Sequence, residues 1–370
     1  MYLTLACVLV LIAAGVAEYL LHRKRLESIP IRILVNGTRG KTGTARMIAA
    51  ALNRAGIRTI CRTTGSEAQI IYPDGTVRPF RRRLPARISE MIPLIRLCSR
   101  EGVHCTVVEC MALGEENQRV ISEVLVRPTH VVITNSYVDH VSEIGATGEE
   151  TVWTLARSIN PRCRVYCTEE AYRPYCEQKK SLCIVVRPDD NRTFSGGIKI
   201  HPANAALTLA VCADLGVDSD TAIASFADIV PDKGLGKDIN PGGGAVLVPG
   251  FAVNDLTCME EAVRKASENY PGRSLVLVFN NRADREYRIG LAARVVGNCS
   301  GLISEVCCIG DYPGKVRRYF SRRCSCRVRF AGADELALEI RQAGPERVYV
   351  GIGNIKGGGE RLLECLEEGI

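Results

Sequence analysis

The sequence predicts an α/β protein of two domains, each built on a largely parallel sheet, preceded by one apolar helix long enough to cross a bilayer. Three observations carry this. Short β-branched runs alternate with helical patterns from residue 31 onward, a Pro/Gly cluster over 231–244 interrupts the alternation before it restarts, and residues 2–21 carry a single charge, Glu18. The expected divisions are an anchor over 1–22, a first domain over 30–240 and a second over 245–370, which suits 370 residues at roughly 150 per domain.

Composition narrows the class. Hydrophobic residues at 46% and charged residues at 24% exclude wholesale disorder, a collagen-like fibre and a polytopic membrane protein. Lys+Arg 48 against Asp+Glu 41 leaves +7, an excess too diffuse to demand nucleic acid but compatible with anionic substrates. Aromatics at 5%, not interleaved with basic residues, argue against base-stacking modules. The 17 cysteines show no C-x-x-C spacing, and the five histidines no H-x₃₋₅-H pair, so a zinc ribbon or finger is not expected. Runs such as "TVVEC" and "LISEVCCIG" use Cys as a small hydrophobe. The odd count favours reduced thiols in a cytosol.

In chain order, "YLTLACVLVLIAAGVAEYLL" over 2–21 has about 20 residues, a helix of roughly 30 Å. His22-Arg23-Lys24-Arg25 follows, and positive charge after the apolar run leaves the body cytosolic. A cleaved signal peptide at Gly15-Val16-Ala17 is the rival, but no basic n-region precedes the run. A buried apolar helix is the other alternative.

The strand "IRILV" comes next and runs into Asn36-Gly37-Thr38-Arg39-Gly40-Lys41-Thr42, which opens an Ala-rich helix over 41–55. A strand, a glycine turn and a helix N-terminus direct backbone N–H groups and the helix dipole onto one phosphate. Lys41 would reach the β- and γ-phosphates of ATP and the Thr42 hydroxyl would take a Mg²⁺ position. The match to G-x₄-G-K-[ST] is incomplete, because Val35 stands where the first glycine belongs. A plain glycine turn capped by Thr42 explains neither Lys41 nor the paired glycines.

Further along, "CTVVEC" places Glu109 at a strand end, where it could face the same Mg²⁺ or be a solvated surface residue. A helix is expected over 115–126, then "THVVIT" running into Asn135-Ser136-Tyr137-Val138-Asp139-His140, then a helix over 147–159. His140 could bind metal or orient a carboxylate, the alternative being a capped loop. "RVYC" and "CIVV" complete the first sheet. In the second domain "AVLVPGF", "SLVLVFN", "EVCCIG", "VRFAG" and "RVYVGIG" alternate with helices over 257–269, 286–297, 313–321 and 333–342.

The ordered set Gly-Thr-x-Gly-Lys-Thr, strand-end Glu and Thr-Asn-x₃-Asp-His resembles the Mur-ligase superfamily of ATP-dependent amide ligases. "VNGTRGKTGTARMIAAAL", "GSEAQIIYPDGTVRPFRRR", "VVECMALGEENQRV", "VRPTHVVITNSYVDHVSEIGAT" and "GIGNIKGGGERLLE" are similar to one branch, the poly-γ-glutamate synthase B subunits of capsule biosynthesis. The resemblance implies a Mur-ligase-like central ATPase domain, a Rossmann-like C-terminal domain and small membrane partner subunits. It implies that Gly37, Thr38, Gly40, Lys41 and Thr42 hold ATP, that Glu109 shares the metal with Thr42, and that His140 serves a second metal or the acyl phosphate. Asn204 in "HPANAALTLA" matches an adenine-contacting Asn. Asn254-Asp255 and Asn280-Asn281-Arg282 match segments that close over ATP and substrate, with Arg282 and Arg285 as cationic candidates. Mur ligases also carry a carbamoylated Lys downstream of the Asp-His pair; residues 151–157 contain no Lys, so a bridging carbamate is not expected.

On this resemblance the chain is a membrane-tethered ligase that uses ATP and Mg²⁺ to join glutamate to a poly-γ-glutamate acceptor through an acyl phosphate. Lys41, Glu109, Asp139 and His140 are the catalytic candidates, with Asp139 or His140 as the base for the incoming amine. Arg78-Pro79-Phe80-Arg81-Arg82-Arg83-Leu84-Pro85-Ala86-Arg87 carries five arginines in ten residues. Arg81, Arg82 and Arg83 are expected either to bind acceptor carboxylates or to face solvent and lipid headgroups. The competing functions are a folate-type polyglutamyl ligase and a P-loop ATPase that organises an export complex and makes no bond.

Overall fold

The computed structural model describes residues 2–64, 68–80, 87–138, 143–189, 200–229, 238–251, 253, 256–321 and 326–367. Contacts divide the chain into two compact units, residues 1–230 and 231–370.

The first unit runs α1 (Tyr2–Glu27), β1 (Ile31–Asn36), α2 (Lys41–Arg54), β2 (Thr59–Thr63), β3 (Gln69–Ile71), β4 (Val77–Pro79), α3 (Met91–Arg100), β5 (Cys105–Glu109), α4 (Glu115–Val120), β6 (His130–Ile133), α5 (Gly148–Ala156), β7 (Arg164–Cys167), α6 (Arg173–Gln178), β8 (Leu182–Val185), α7 (Pro202–Asp214) and α8 (Ser219–Ala224). Its eight strands are ordered β4-β3-β2-β5-β1-β6-β7-β8. All pair in parallel except the β2–β3–β4 meander. Both faces are covered, which is why the strands read as continuous apolar runs. Ile33 and Val35 of β1 pack with Ala45, Ile48 and Leu52 of α2 and Leu207 and Val211 of α7, while Leu34 faces Leu26, Leu94 and Ile95.

Residues 4–27 of α1 are apolar enough to cross a membrane, and Leu5, Leu9, Leu11 and Leu20 are all more than half exposed. The exposure ends abruptly at His22, which is 4% exposed and bonds through Nε2 to Leu125 O at 2.9 Å. Leu26 and Ile29 are buried just beyond. The apolar run therefore projects from a base that is packed into the first unit.

The second unit runs β9 (Val246–Val248), α9 (Leu256–Asn269), β10 (Ser274–Asn281), α10 (Arg288–Asn298), β11 (Ile303–Gly310), α11 (Pro313–Phe320), β12 (Arg327–Phe330), α12 (Ala333–Gln342), β13 (Arg347–Gly353) and α13 (Gly358–Glu367). Its strands form one parallel sheet, β12-β11-β10-β13-β9. Two apolar layers cover it, one holding Phe279, Val296 and Phe320, the other Phe251, Tyr349 and Leu362.

The α/β class and the parallel pairing match the expectation from sequence. The helix expected over 115–126 is α4 followed by a wider π-type helix over Ile121–Val126. The antiparallel pair β3–β4 and the helix α3 were not anticipated.

Candidate active site

From β1 the chain leads through α2 to β2, on one side of β1, and later enters β6 on the other side. The carboxyl edge around β1 is thus where strand order reverses, the place at which open α/β sheets bind ligands. Register sets Val35 opposite Glu109 and Asn36 opposite Ile133, so the ends of β5, β1 and β6 lie side by side.

The turn Gly37–Gly40 leaves β1 there and α2 begins at Lys41. Gly37 has φ +123 and Gly40 φ +78, values that favour glycine. Both glycines also admit close neighbours. A Cβ on Gly37 would lie 2.1 Å from Thr134 Oγ1, and one on Gly40 2.4 Å from Asn204 Nδ2. Asn204 stands in the first turn of α7 and so reaches the Gly37–Gly40 turn from a separate element. Lys41 Nζ turns back onto its own loop, donating to Gly37 O at 2.7 Å and Thr38 O at 3.2 Å.

Glu109 is 4% exposed. Its carboxylate accepts from Thr42 Oγ1, 3.0 Å to each oxygen, and from Thr64 N at 2.6 Å. With its proton given to Glu109, the Thr42 hydroxyl keeps lone pairs for a cation. Two oxygen donors suit Mg²⁺, which takes few protein ligands and completes its shell with water and phosphate oxygens. Among the described residues no group of three or more His, Cys, Asp or Glu could hold a metal by itself.

Sequence reasoning placed Thr134 and Asn135 in a strand-end polar motif but did not foresee that they hold the loop from below. Thr134 Oγ1 donates to Arg39 O at 2.5 Å and lies 3.2 Å from Asn36 O. Asn135 Oδ1 accepts from Thr38 Oγ1 at 2.7 Å and Arg39 N at 2.9 Å, Asn135 Nδ2 donates to Arg39 O, and Thr38 N donates to Asn135 O. Glu169, beyond β7, in turn accepts from Ser136 N and Ser136 Oγ. Asn36 Nδ2 donates to Gln118 Oε1 at 2.7 Å, tying the end of β1 to α4. The polar run after "THVVIT" was visible in the sequence; its partners, nearly a hundred residues upstream, were not.

Cys110, next to Glu109, is pushed up to about 11 by burial, and burial also raises Cys61 and Cys105. These thiols stay protonated at neutral pH and act as core residues.

In the second unit Asn280 and Asn281 are fully buried at the carboxyl end of β10. Asn280 Nδ2 donates to the main chain at Asn354 and Lys356, and Asn281 Nδ2 donates to Asp311 O at 2.7 Å. Arg282 pairs with Asp284 at 2.8 Å, and Arg285 lies 4.0 Å from the same carboxylate. The remaining sequence candidates, Asp139, His140, Arg81, Arg82, Arg83, Asn254 and Asp255, lie outside the described residues.

Comparison with known proteins agrees with this architecture. Residues 237–369 match the family model of the poly-gamma-glutamate synthase CapB C-terminal domain. The chain is 28% identical to the PGA synthase CapB of Bacillus subtilis (strain 168), over 99% of this chain and 97% of that protein. It is 26% identical to the capsule biosynthesis protein CapB of Bacillus anthracis, over 98% and 82% respectively. In fold it is similar to a bifunctional folylpolyglutamate synthase/dihydrofolate synthase from Yersinia pestis, solved with AMPPNP and a Mn ion, with TM-score 0.68, 15% identity and coverage of 94% of this chain and 91% of that one. Residues 237–369 thus match the CapB C-terminal-domain family model, and the chain as a whole is similar in sequence to two CapB proteins and in fold to a folylpolyglutamate synthase.

Proposed function

We propose that the protein is an ATP-dependent ligase that extends poly-γ-glutamate by one amide bond per ATP. The observation that carries this reading is the carboxyl-edge constellation of Gly37, Gly40, Lys41, Thr42 and Glu109, in a chain that aligns end to end with a PGA synthase.

The free carboxylate is a poor acylating agent because its oxygen leaves badly. A carboxylate oxygen therefore attacks the γ-phosphorus of ATP and ADP departs. The neutral amine of the second substrate then attacks the carbonyl carbon, phosphate leaves with the carboxyl oxygen, and the amide remains. The loop N–H groups and Lys41 hold the phosphates, Lys41 exchanging its bonds to Gly37 O and Thr38 O for phosphate oxygens. Thr42 and Glu109 are the residues that would hold Mg²⁺, which supplies charge neutralisation on the transferring phosphoryl group. Asn204, Asn281 and Arg282 are the further nucleotide-binding residues that the resemblance implies. Asp139 or His140 takes the amine proton, and His140 also serves a metal or the acyl phosphate. Arg81, Arg82, Arg83 and Arg285 meet the carboxylates of glutamate and acceptor, and Asn254 and Asp255 are further substrate-binding residues, Asp255 suited to the amine.

The apolar part of α1 anchors the protein as a single span, with the basic stretch Arg23-Lys24-Arg25 and the body on the cytosolic side, beside small membrane subunits of a synthase complex. The domains in this reading are a first over 30–240 and a second over 245–370. Transfer of ¹⁸O from a labelled acceptor carboxylate into released phosphate tests the acyl phosphate. Label in phosphate is the expected result; unlabelled phosphate alongside amide formation refutes that intermediate.

A further inference from the structure

A second site stands on the same helix as the phosphate loop. Arg46, Ala50 and Arg54 recur every four residues on α2, so they form one stripe along its axis, with a small residue between two guanidinium groups. Beside this stripe lies a cavity of about 330 Å³, walled by Ile71 and Val77 of the β3–β4 hairpin and closed by Asp74 and Asp228. That volume is within the usual range for small-molecule sites. Arg46 is 4% exposed and donates to Gln69 Oε1 at 2.8 Å, while Arg54 pairs with Asp228 at the exposed rim, 2.8 Å.

The lining selects a ligand class. Among the described residues it contains no aromatic ring on which a base could stack. Its two carboxylates are engaged separately, Asp228 with Arg54 and Asp74 with Thr76 N, which does not make a cation cage. What remains is a cavity lined by apolar side chains, by two guanidinium groups spaced eight residues apart on one helix, and by two carboxylates. The two Cα positions are eight residues, roughly 12 Å, apart along the helix. Guanidinium forks bind carboxylates in pairs of hydrogen bonds. We propose that this cavity binds a short, extended polycarboxylate carrying a terminal ammonium, whose carboxylates meet Arg46 and Arg54 and whose ammonium meets Asp74 or Asp228. With the function proposed above, on which the identity of the ligand rests, that molecule is a γ-linked oligoglutamate of two or three residues, held as acceptor or product away from the phosphate loop. One rigid helix, about 20 Å long, joins the two sites.

The test uses the full chain in detergent, without ATP, and follows the anisotropy of fluorescein-labelled γ-linked triglutamate. Ala50→Leu fills the cavity, and Arg54→Glu reverses the charge at a half-exposed position whose loss the fold tolerates. Saturable binding that weakens at least tenfold in both variants, each melting within a few degrees of the parent chain, is the expected result. Binding indifferent to both substitutions, or no binding by the parent chain, overturns the site. Glutamate-stimulated ADP release is measured on the same preparation. Its absence, with binding that still depends on Ala50 and Arg54, refutes the ligase and leaves the site. Its presence, with binding blind to both substitutions, refutes the site and leaves the ligase.

Discussion

Replacing Gly37 by alanine is the change to which the phosphate loop should be most sensitive. Its φ of +123 lies beyond the left-handed basin that other residues occasionally visit, and such strain costs about 1–3 kcal/mol. The new Cβ would lie 2.1 Å from Thr134 Oγ1 and 3.0 Å from both Thr134 N and Asn135 O. The hydroxyl cannot retreat without giving up its bond to Arg39 O, which contributes about 0.5–1.5 kcal/mol. Strain and the lost bond together reach about 1.5–4.5 kcal/mol, or roughly 10-fold to 2,000-fold in the equilibrium for the binding-competent loop. Gly40→Ala is milder. Its φ of +78 costs about 1–2 kcal/mol, and the colliding atom is the rotatable amide end of Asn204. Equilibrium binding of a fluorescent ATP analogue, read beside the melting temperature, should therefore rank parent chain, Gly40→Ala, then Gly37→Ala. Gly37→Ala binding within threefold of the parent at an unchanged melting temperature would refute the loop geometry.

Other outcomes follow from contacts elsewhere in the first unit. Asn135→Ala removes two bonds accepted by Oδ1 and one donated by Nδ2, so KM for ATP should rise roughly 150-fold, at about 1 kcal/mol per bond, with little change in melting. Glu109→Gln should raise the Mg²⁺ concentration for half-maximal turnover at least tenfold; a titration that superimposes on the parent's removes Glu109 from the metal shell. Glu90→Ala removes the carboxylate from the fully buried Arg62 guanidinium and should lower stability by about 3–5 kcal/mol in denaturant titration, whereas a loss under 1 kcal/mol would show that the Phe80 ring and Met111 Sδ suffice to hold it. Burial holds the His130 imidazole below its ordinary value, against the pull of Asp214. Its neutral form is favoured in the fold, so its contribution to stability is complete above the unfolded pKa of 6.5 and is lost as pH falls through the folded value. His130→Gln should flatten that acid limb of stability against pH, and an unchanged limb would assign it to other groups.

Local chemistry decided how much the sequence disclosed. The loop from Gly37 to Thr42 was legible because strand, glycines, Lys and helix are contiguous and each has a local physical reason. Helices over 257–269 and 333–342 fall within a residue of α9 and α12, since their apolar spacing is a property of the segment itself. The hairpin β3–β4 was missed although "YPDGT" carries a turn signal, because its strands are only three residues long. In α3, Pro93 masked a helix in which the ring occupies the first turn, where no N–H partner is lost. The clasp of Thr134 and Asn135 on Thr38 and Arg39 joins residues about 96 positions apart, and no spacing rule reports which strand end lies beside which. Asn36–Gln118 and Arg62–Glu90 were hidden for the same reason.

The central claim is bond formation driven by the phosphate loop, and its most direct test is one reaction series on the detergent-purified chain, with membranes carrying its partner subunits added where the chain alone is silent. ADP and phosphate release are followed with Mg·ATP, with and without glutamate and short γ-glutamyl acceptors, beside Lys41→Ala, and acceptor length is read by mass spectrometry. The account predicts glutamate-stimulated release that Lys41→Ala abolishes, with the acceptor lengthened by one residue per ADP. Lys41-dependent hydrolysis that ignores every amino acid and leaves the acceptor unchanged, even with partner membranes present, would contradict it and point to an ATPase that makes no bond.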